Sequence, residues 1–167
     1  MKALLINFPQ NDFCSFGAVE IPNSEKIICG INNILQQFDF IILNQLWLEA
    51  DDIHFAANYP FYKPGMTKKI EDREIILTPI FCVKNSFGAE ISSKLRTENN
   101  FHLEKSGFAE LNGAIIQLIK QNKIQKLYIC GFDIGLFISS IIGKMAEEGV
   151  ETVILNELYV HVNLNLK

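Results

Sequence analysis

The chain has 167 residues, a formal net charge of -4 and 49% hydrophobic residues, with 13 Phe. This length and apolar content predict one compact domain over residues 1–167 and exclude an intrinsically disordered chain. The mild, scattered charge does not indicate a nucleic-acid-binding surface, and no apolar run is long enough to cross a bilayer. We therefore expect a cytoplasmic protein that binds neither nucleic acid nor membrane.

Short apolar runs alternate with segments of helical period, a pattern typical of a parallel sheet covered by helices. The expected strands lie at 3–6, 40–43, 100–103, 126–130 and 150–155, and the expected helices at 24–37, 110–121 and 134–148. Residues 46–78 are expected to form a long loop. The tail, 159–166, alternates at period two and is expected to be an antiparallel or edge strand. The predicted fold is α/β: a three-layer, doubly wound, mostly parallel sheet with helices on both faces.

The four cysteines, Cys14, Cys29, Cys82 and Cys130, lie far apart and form no C-x-x-C pair. They are expected to be reduced and, more often than not, packed in the core. Residues 130–135 lack the glycine spacing of a dinucleotide-binding loop, so no cofactor is expected.

Ligands of open α/β sheets bind outside the carboxyl ends of the strands. At one such end, residues 129–137 are predicted to form an apolar strand, a glycine turn at Gly131 and the start of a helix. This is the form of an active-site elbow, but Phe137 stands where an elbow normally presents a nucleophile.

Four segments, taken in order, resemble the isochorismatase-like cysteine hydrolases, and nicotinamidases most of all. They are P-Q-N-D-F-C at 9–14, the segment 47–60, T-P-I-F-C-V at 78–83 followed by G-A-E-I at 88–91, and Y-I-C-G-F at 128–132. The resemblance implies a cysteine nucleophile, an aspartate that accepts its proton and a supporting lysine. It places Phe8 at the aspartate position and Phe137 at the cysteine position, and only the lysine is retained, as Lys105.

The resemblance also implies four metal-ligand positions, which fall on Leu46, Leu48, Asp52 and Phe81. Three of the four are apolar, so no metal is expected, because such sites need several oxygen or nitrogen ligands. The segment 51–54, which contains Asp52 and His54, is expected to be a loop facing water. A shifted divalent-cation site there is the less favoured alternative.

The substituted side chains are expected to line or fill the former pocket; they are Phe8, Phe13, Trp47, Phe81, Phe137 and Asp133. Each Phe is also compatible with an ordinary core position. The Asp133 carboxylate is expected to oppose negative charge near the former oxyanion site. Lys105 is expected to turn to solvent or to find a carboxylate, and Asp12 is expected to brace its loop.

Three functions remain open at this point. The favoured one is a non-hydrolytic family member retained for binding, assembly or regulation, as a homo-oligomer or with a protein partner. The second is an amidohydrolase of the nicotinamidase type that uses Cys82 or Cys14 as the thiol, with Lys105 as support. The third is a module that binds a small aromatic ligand between the aromatic side chains of the former pocket.

Overall fold

A computed structural model describes residues 1–97, 101–107, 113–135 and 137–162. Its strands are β1 (Lys2–Asn7), β2 (Phe40–Leu46), β3 (Thr67–Ile70), β4 (Arg73–Ile76), β5 (Phe101–Ser106), β6 (Lys126–Ile134) and β7 (Glu151–Val162). Its α-helices are α1 (Ser24–Ile34), α2 (Gly113–Gln121) and α3 (Phe137–Glu147). Short 3-10 turns occupy Asn11–Phe13, Leu35–Gln37, Ala56–Asn58 and Phe87–Ala89.

Five strands form the central sheet in the order β5-β2-β1-β6-β7, and every neighbouring pair is parallel. From β1 the chain moves through β2 to β5 at one edge, then crosses back to β6 and ends at β7 on the other edge. Crossovers between parallel strands are right-handed in nearly all proteins, so their opposite directions in this sheet assign α1 to one face and α2 and α3 to the other. The predicted doubly wound α/β fold is confirmed.

The inner strands are apolar on both faces, as strands covered by helices must be. All seven residues of β2 and the last five of β1 are buried. Against them pack the apolar sides of the helices, including Ile27, Ile28 and Ile31 of α1 and Ile138, Ile141 and Met145 of α3. The core therefore lies in two layers, one on each side of the sheet.

The excursion between β2 and β5 contains a hairpin where a loop was expected. Strands β3 and β4 pair antiparallel around a turn in which Glu71 has a φ of 54°. Most of their residues are exposed or half-buried. Because the segment is rich in charge and contributes nothing to the main core, its hydrophobic pattern did not reveal it.

The elbow differs from its expected form. Strand β6 does not stop at Gly131 but continues to Ile134, with Gly131 held inside it at a φ of 97°. The turn falls at Gly135, whose φ is 65°, and α3 starts at Phe137 rather than at residue 134. The expected helix was therefore three residues too long at its start.

The C-terminal segment forms one strand and not two. As predicted, β7 lies at the edge of the sheet, but it runs parallel to β6 throughout, so the antiparallel alternative is wrong. Its register shifts: Ile154 pairs with Ile129 and Tyr159 pairs with Gly131. Residues 155–158 therefore bulge out opposite Cys130 alone. The rest of the tail, 163–166, and the first residues of the helix expected from 110 lie outside the described residues, as does residue 100.

No helix in the described ranges is both long enough and apolar enough to cross a membrane.

Candidate functional site

The strands β1 and β6 lie side by side, and the chain leaves them toward opposite edges of the sheet. Such a switch in direction opens a crevice at the carboxyl ends of the two strands, where ligands of α/β proteins bind. In this chain the crevice position is occupied by the residues that follow Asn7 and by the end of β6.

Aromatic rings are packed together at this position. The ring of Phe8 lies 5.1 Å from that of Phe137 and 6.4 Å from that of Phe13, centroid to centroid. Phe13 in turn contacts Phe81 at 5.9 Å and Phe132 at 6.0 Å. All five side chains are buried, and the spacings are those of favourable aromatic pairs. The structure thus brings together four of the residues expected at the former pocket and adds Phe132.

Phe8 adopts a conformation that bulky residues avoid. Its φ is 50°, in the left-handed region, while its backbone N–H donates to the carbonyl of Asn44 at 2.9 Å. Such a conformation costs about 1–3 kcal/mol and persists only where the surroundings stabilise it. The buried ring contacts with Phe13 and Phe137 provide that stabilisation.

A buried polar chain crosses four strands next to these rings. Ser106 Oγ donates to Asn44 Oδ1 at 2.9 Å, and Asn44 Nδ2 donates to Asn7 Oδ1 at 2.7 Å. Asn7 Nδ2 then donates to the carbonyl of Phe132 at 2.6 Å. The chain carries no net charge, so these three buried polar side chains are satisfied without an ion pair. Sequence reasoning missed them, although each lies at or near the carboxyl end of an expected strand.

The segment after β1 is held by side chains that bond to the backbone. Gln10 accepts from the N–H of Leu46 at 2.7 Å and donates to the carbonyls of Leu46 and Ala89 at 2.7 and 2.8 Å. Asp12 accepts from the N–H of Cys82 at 2.6 Å and from that of Ala18 at 3.2 Å. The contacts of Asp12 are those of a residue that braces a loop.

Asp133 lies beside the ring cluster at the end of β6, and its carboxylate is buried and fully engaged. One oxygen accepts from the N–H of Ile138 in the first turn of α3 at 3.2 Å. The other accepts from the hydroxyl of Tyr159 at 2.8 Å and lies 3.1 Å from Nδ1 of His161. Burial and the neighbouring Asp133 carboxylate raise the pKa of the Tyr159 hydroxyl. An anion already occupies the positive end of α3.

The hydrogen-bond partner of His161 is not evident from the sequence. Its partner, Asp133, lies 28 residues earlier and is placed opposite it by the β6–β7 register. No local signal connects two residues on parallel strands that are separated by a helix.

Lys105 lies on the edge strand β5 and is exposed. Its Nζ sits 3.6 Å from the centre of the Trp47 ring, a cation–π contact. Trp47 is half-buried, and its backbone N–H donates to the carbonyl of Ser106 at 2.9 Å. Lys105 is therefore exposed to solvent, with an aromatic face beneath it.

The two candidate thiols are poorly suited to ionise. Burial, and then the Asp12 carboxylate, raise the pKa of the fully buried Cys82 thiol. Burial is also the main cause that raises the pKa of the Cys14 thiol, and Cys14 Sγ lies 3.4 Å from the carbonyl of Gln10. Because the thiolate is the reactive form, both groups are held in their unreactive state.

The positions that the resemblance assigns to metal ligands do not form a donor set. Leu46, Leu48 and Phe81 are buried and apolar, and Asp52 accepts from His54 through both the ring Nδ1 at 2.7 Å and the backbone N–H at 2.9 Å. Among the described residues no three His, Cys, Asp or Glu side chains come together. The residues present do not fit the family's metal.

The segment 51–54 differs in part from the water-facing loop that was expected. The side chains of Asp52 and His54 are only 19% and 17% exposed and bond to each other. Burial raises the pKa of the Asp52 carboxyl, but the hydrogen bonds from His54 outweigh it and bring the pKa below its ordinary value. Asp51 and Ile53 are exposed, as expected for a loop facing water, so the expectation fails only for the Asp52–His54 pair. A sequence does not show that two side chains of a loop pack against each other.

Comparison with known proteins finds similarity in sequence to nicotinamidases. No family model matches the chain. It is 30% identical over 108 residues to a nicotinamidase of Saccharomyces cerevisiae, covering 57% of this chain and half the length of that relative. It is 22% identical over 177 aligned positions to a nicotinamidase of Acinetobacter baylyi, covering 98% of this chain and 83% of the relative.

Two solved structures share the fold. A nicotinamidase and pyrazinamidase of Acinetobacter baumanii superposes with a TM-score of 0.84 at 21% identity, covering 98% of this chain and 86% of that one. An isochorismatase-like hydrolase of Alkaliphilus metalliredigens superposes with a TM-score of 0.69 at 15% identity, covering 96% of this chain and 82% of that one.

Proposed function

We propose that this chain, which has the isochorismatase-like fold and is similar in sequence to nicotinamidases, no longer hydrolyses amides by the family mechanism. It is retained for binding, assembly or regulation. The contact between the buried rings of Phe8 and Phe137, 5.1 Å apart at the carboxyl ends of β1 and β6, carries the proposal. These are the two positions at which the resemblance implies an acid–base residue and a nucleophile.

The physical argument starts from what hydrolysis requires. A nucleophile needs a base within hydrogen-bond reach and donors aimed at the charge that develops on the substrate oxygen. Phe8 and Phe137 supply neither a proton acceptor nor an attacking atom. The Ile138 amide in the first turn of α3, which could otherwise meet an anion, already donates to Asp133.

Measuring ammonia release from nicotinamide tests the proposal directly. The full chain, with and without added Zn²⁺, Mn²⁺ or Mg²⁺, is expected to release ammonia no faster than buffer. A nicotinamidase relative assayed in parallel shows that the conditions support turnover. Turnover by this chain that is lost after thiol alkylation, or in a Cys82→Ala or Cys14→Ala variant, would contradict the proposal.

An amidohydrolase with relocated groups is the second candidate, and the nicotinamidase relatives favour it. It requires Cys82 or Cys14 to ionise near neutral pH and Lys105 to support the thiolate. The raised pKa of both thiols argues against it. Iodoacetamide labelling at pH 7 followed by peptide mass spectrometry separates the candidates, because Cys29 is exposed and serves as an internal control. We expect Cys29 to be labelled and Cys82 and Cys14 to stay unlabelled in the folded chain; rapid labelling of Cys82 would favour the enzyme.

A role in assembly is supported by the two edge strands of the sheet. Both β5 and β7 lie at an edge, and β7 is twelve residues long. A long edge strand can pair with another chain. We propose a homo-oligomer or a complex with a protein partner, and sedimentation velocity of the full chain tests the first: a sedimentation coefficient of a monomer over the whole concentration range would exclude it.

A further inference from the structure

A cavity of about 490 Å³ lies toward the amino ends of β1 and β6, away from the ring cluster at their carboxyl ends. Its walls come from the end of α1 and the turn after it, from β6, and from the bulged part of β7. The lining side chains used below are Lys2, Phe38, Tyr128, Leu155, Glu157 and Leu158. Its volume falls in the range of about 300–1,000 Å³ that is typical of small-molecule sites.

The bulge in β7 shapes this cavity. Residues 155–158 leave the regular ladder between the Ile154 and Tyr159 pairs, and all four line the cavity wall. Leu158 approaches α1 at Gly30, where an added Cβ would lie 2.4 Å from Leu158 Cδ2. The bulge is therefore seated on α1 through a glycine that makes room for it, and the cavity lies beside that contact. Bulges are enriched next to functional sites.

The cavity wall carries an aromatic pair. The rings of Phe38 and Tyr128 lie 5.2 Å apart at an angle of 65°, an edge-to-face arrangement. Both side chains are half-buried, so part of each ring faces the cavity. Together with Leu155 and Leu158 they form an apolar surface on which a further aromatic ring can stack.

Two side chains of opposite charge line the cavity. The side chains of Lys2 and Glu157 are exposed, and neither forms an ion pair within the parts of the chain that the structure describes. The nearby Lys126, by contrast, is paired with Glu151 at 2.5 Å. An unpaired cation and an unpaired anion beside an apolar cleft are complementary to a ligand that carries both charges.

We propose that this cavity binds a small zwitterion with an aromatic ring, the chemical class of the aromatic amino acids. Phe38 and Tyr128 contact the ring, Lys2 the carboxylate and Glu157 the ammonium group. The proposal concerns a different place from the ring cluster, and it holds whether or not the chain hydrolyses amides. It gives the binding role a ligand class and a location.

Binding of L-phenylalanine and L-tryptophan to the full chain, followed by isothermal titration and by ¹⁵N chemical shifts, tests the assignment. We expect saturable binding in which the shifted amides include residues 155–158. Benzoate and phenethylamine, which each lack one of the two charges, are expected to bind about tenfold more weakly, the effect of losing one charge-assisted contact. Equal binding of all four compounds, or none at millimolar concentrations, would overturn the proposal.

Variants then locate the site. Lys2→Met and Glu157→Gln are each expected to weaken L-phenylalanine binding about tenfold. Lys144→Met, which removes an exposed lysine from α3 outside the cavity, is expected to leave binding unchanged. Leu155→Trp, which fills the cavity, should abolish binding while the far-ultraviolet circular dichroism and the melting temperature show that the chain is folded.

Two results contradict the location. One is undiminished binding in a folded Leu155→Trp variant. The other is a dimer in sedimentation velocity that Lys2→Met or Glu157→Gln dissociates, because a second copy would then cover the cavity. The two experiments test separate proposals. A failure to bind amino acids would not change the result expected in the ammonia assay, and turnover in that assay would not change the binding expected in the titration.

Discussion

The contacts of Asp133 in the structure differ from those expected from the sequence. Its buried carboxylate holds the start of α3 and two side chains of β7 at once. A buried carboxylate is stable only when hydrogen-bond donors surround it, and here they come from two elements separated in sequence. Asp133 therefore links the end of β6 to both α3 and the edge strand.

Replacing Asp133 by Asn should lower the free energy of unfolding by about 1–3 kcal/mol, because the amide cannot accept from all three donors. Tyr159→Phe removes one of those donors and should cost about 1 kcal/mol. The double variant should lose less stability than the sum of the losses in the two single variants, because both single variants remove the same hydrogen bond. Urea unfolding measures all three, with Tyr62→Phe as the control for loss of a tyrosine hydroxyl; strictly additive losses would contradict the contact.

Asp52 should make stability depend on pH. Hydrogen bonds from His54 lower the pKa of its carboxyl overall. A lowered carboxyl pKa stabilises the fold above the unfolded value of 3.8, and this contribution is lost as the pH falls through the folded pKa. Asp52→Asn should therefore cost about 1 kcal/mol at pH 7 and progressively less below pH 3.8. Chemical unfolding of the wild type and the variant at pH 7 and below pH 3.8 measures the cost of the substitution. A cost that does not change with pH would exclude a stabilising contribution from the Asp52 carboxylate.

At the scale of elements, glycines show where the backbone itself sets the local structure. Gly131 lies within β6 at a φ of 97°, and a Cβ there would stand 2.3 Å from the backbone oxygen of Asn7 on β1. Gly149 ends α3 with a φ of 71° but has open space around it. Gly143 lies within α3, also with open space.

These three positions give a graded set of Gly→Ala variants. Gly131→Ala should destabilise the chain by about 3 kcal/mol or more, because strain and a backbone clash combine. Gly149→Ala should cost about 1 kcal/mol from its left-handed conformation alone. Gly143→Ala should stabilise by about 0.5–1 kcal/mol, since alanine is the better helix former. Thermal unfolding of the three variants checks the order, and a harmless Gly131→Ala would show that β1 and β6 are not this close.

For the whole molecule, the ring cluster joins the two halves of the sheet. Phe8 and Phe13 follow β1, Phe132 lies in β6 and Phe137 starts α3, so the contacts tie the first strand to the last third of the chain. The rings occupy the place where an α/β fold ordinarily opens a crevice. The same packing of rings therefore stabilises the fold and fills this part of the sheet's end.

Phe137→Ala tests that packing. Removing a buried ring should cost about 3–5 kcal/mol, because a cavity remains where the side chain was. Phe87→Ala provides the matched control, since Phe87 is 76% exposed and its loss should cost less than about 0.5 kcal/mol. Differential scanning calorimetry compares the two; similar small losses would mean that the Phe8 and Phe137 rings do not support the fold.

Much of the fold could be predicted because the strands and helices carry strong local patterns. The runs 3–6 and 40–43 are apolar on both faces, which is enough to indicate inner parallel strands. The β3–β4 hairpin was missed because its residues are charged and exposed. The direction of β7 was left open because an edge strand alternates in the same way whether its partner is parallel or antiparallel.

The sequence by itself determined the α/β architecture, the order of its main elements and the aromatic residues at positions 8 and 137, because hydrophobic period and motif spacing are local properties. Only the tertiary structure decided that those rings contact each other, that Asp133 meets Tyr159 and His161, and that a bulge in β7 leaves a cavity beside Phe38 and Tyr128. The physical reason is that these contacts join residues tens of positions apart. Their distances depend on strand register and on the crossovers, and no local pattern encodes either of them.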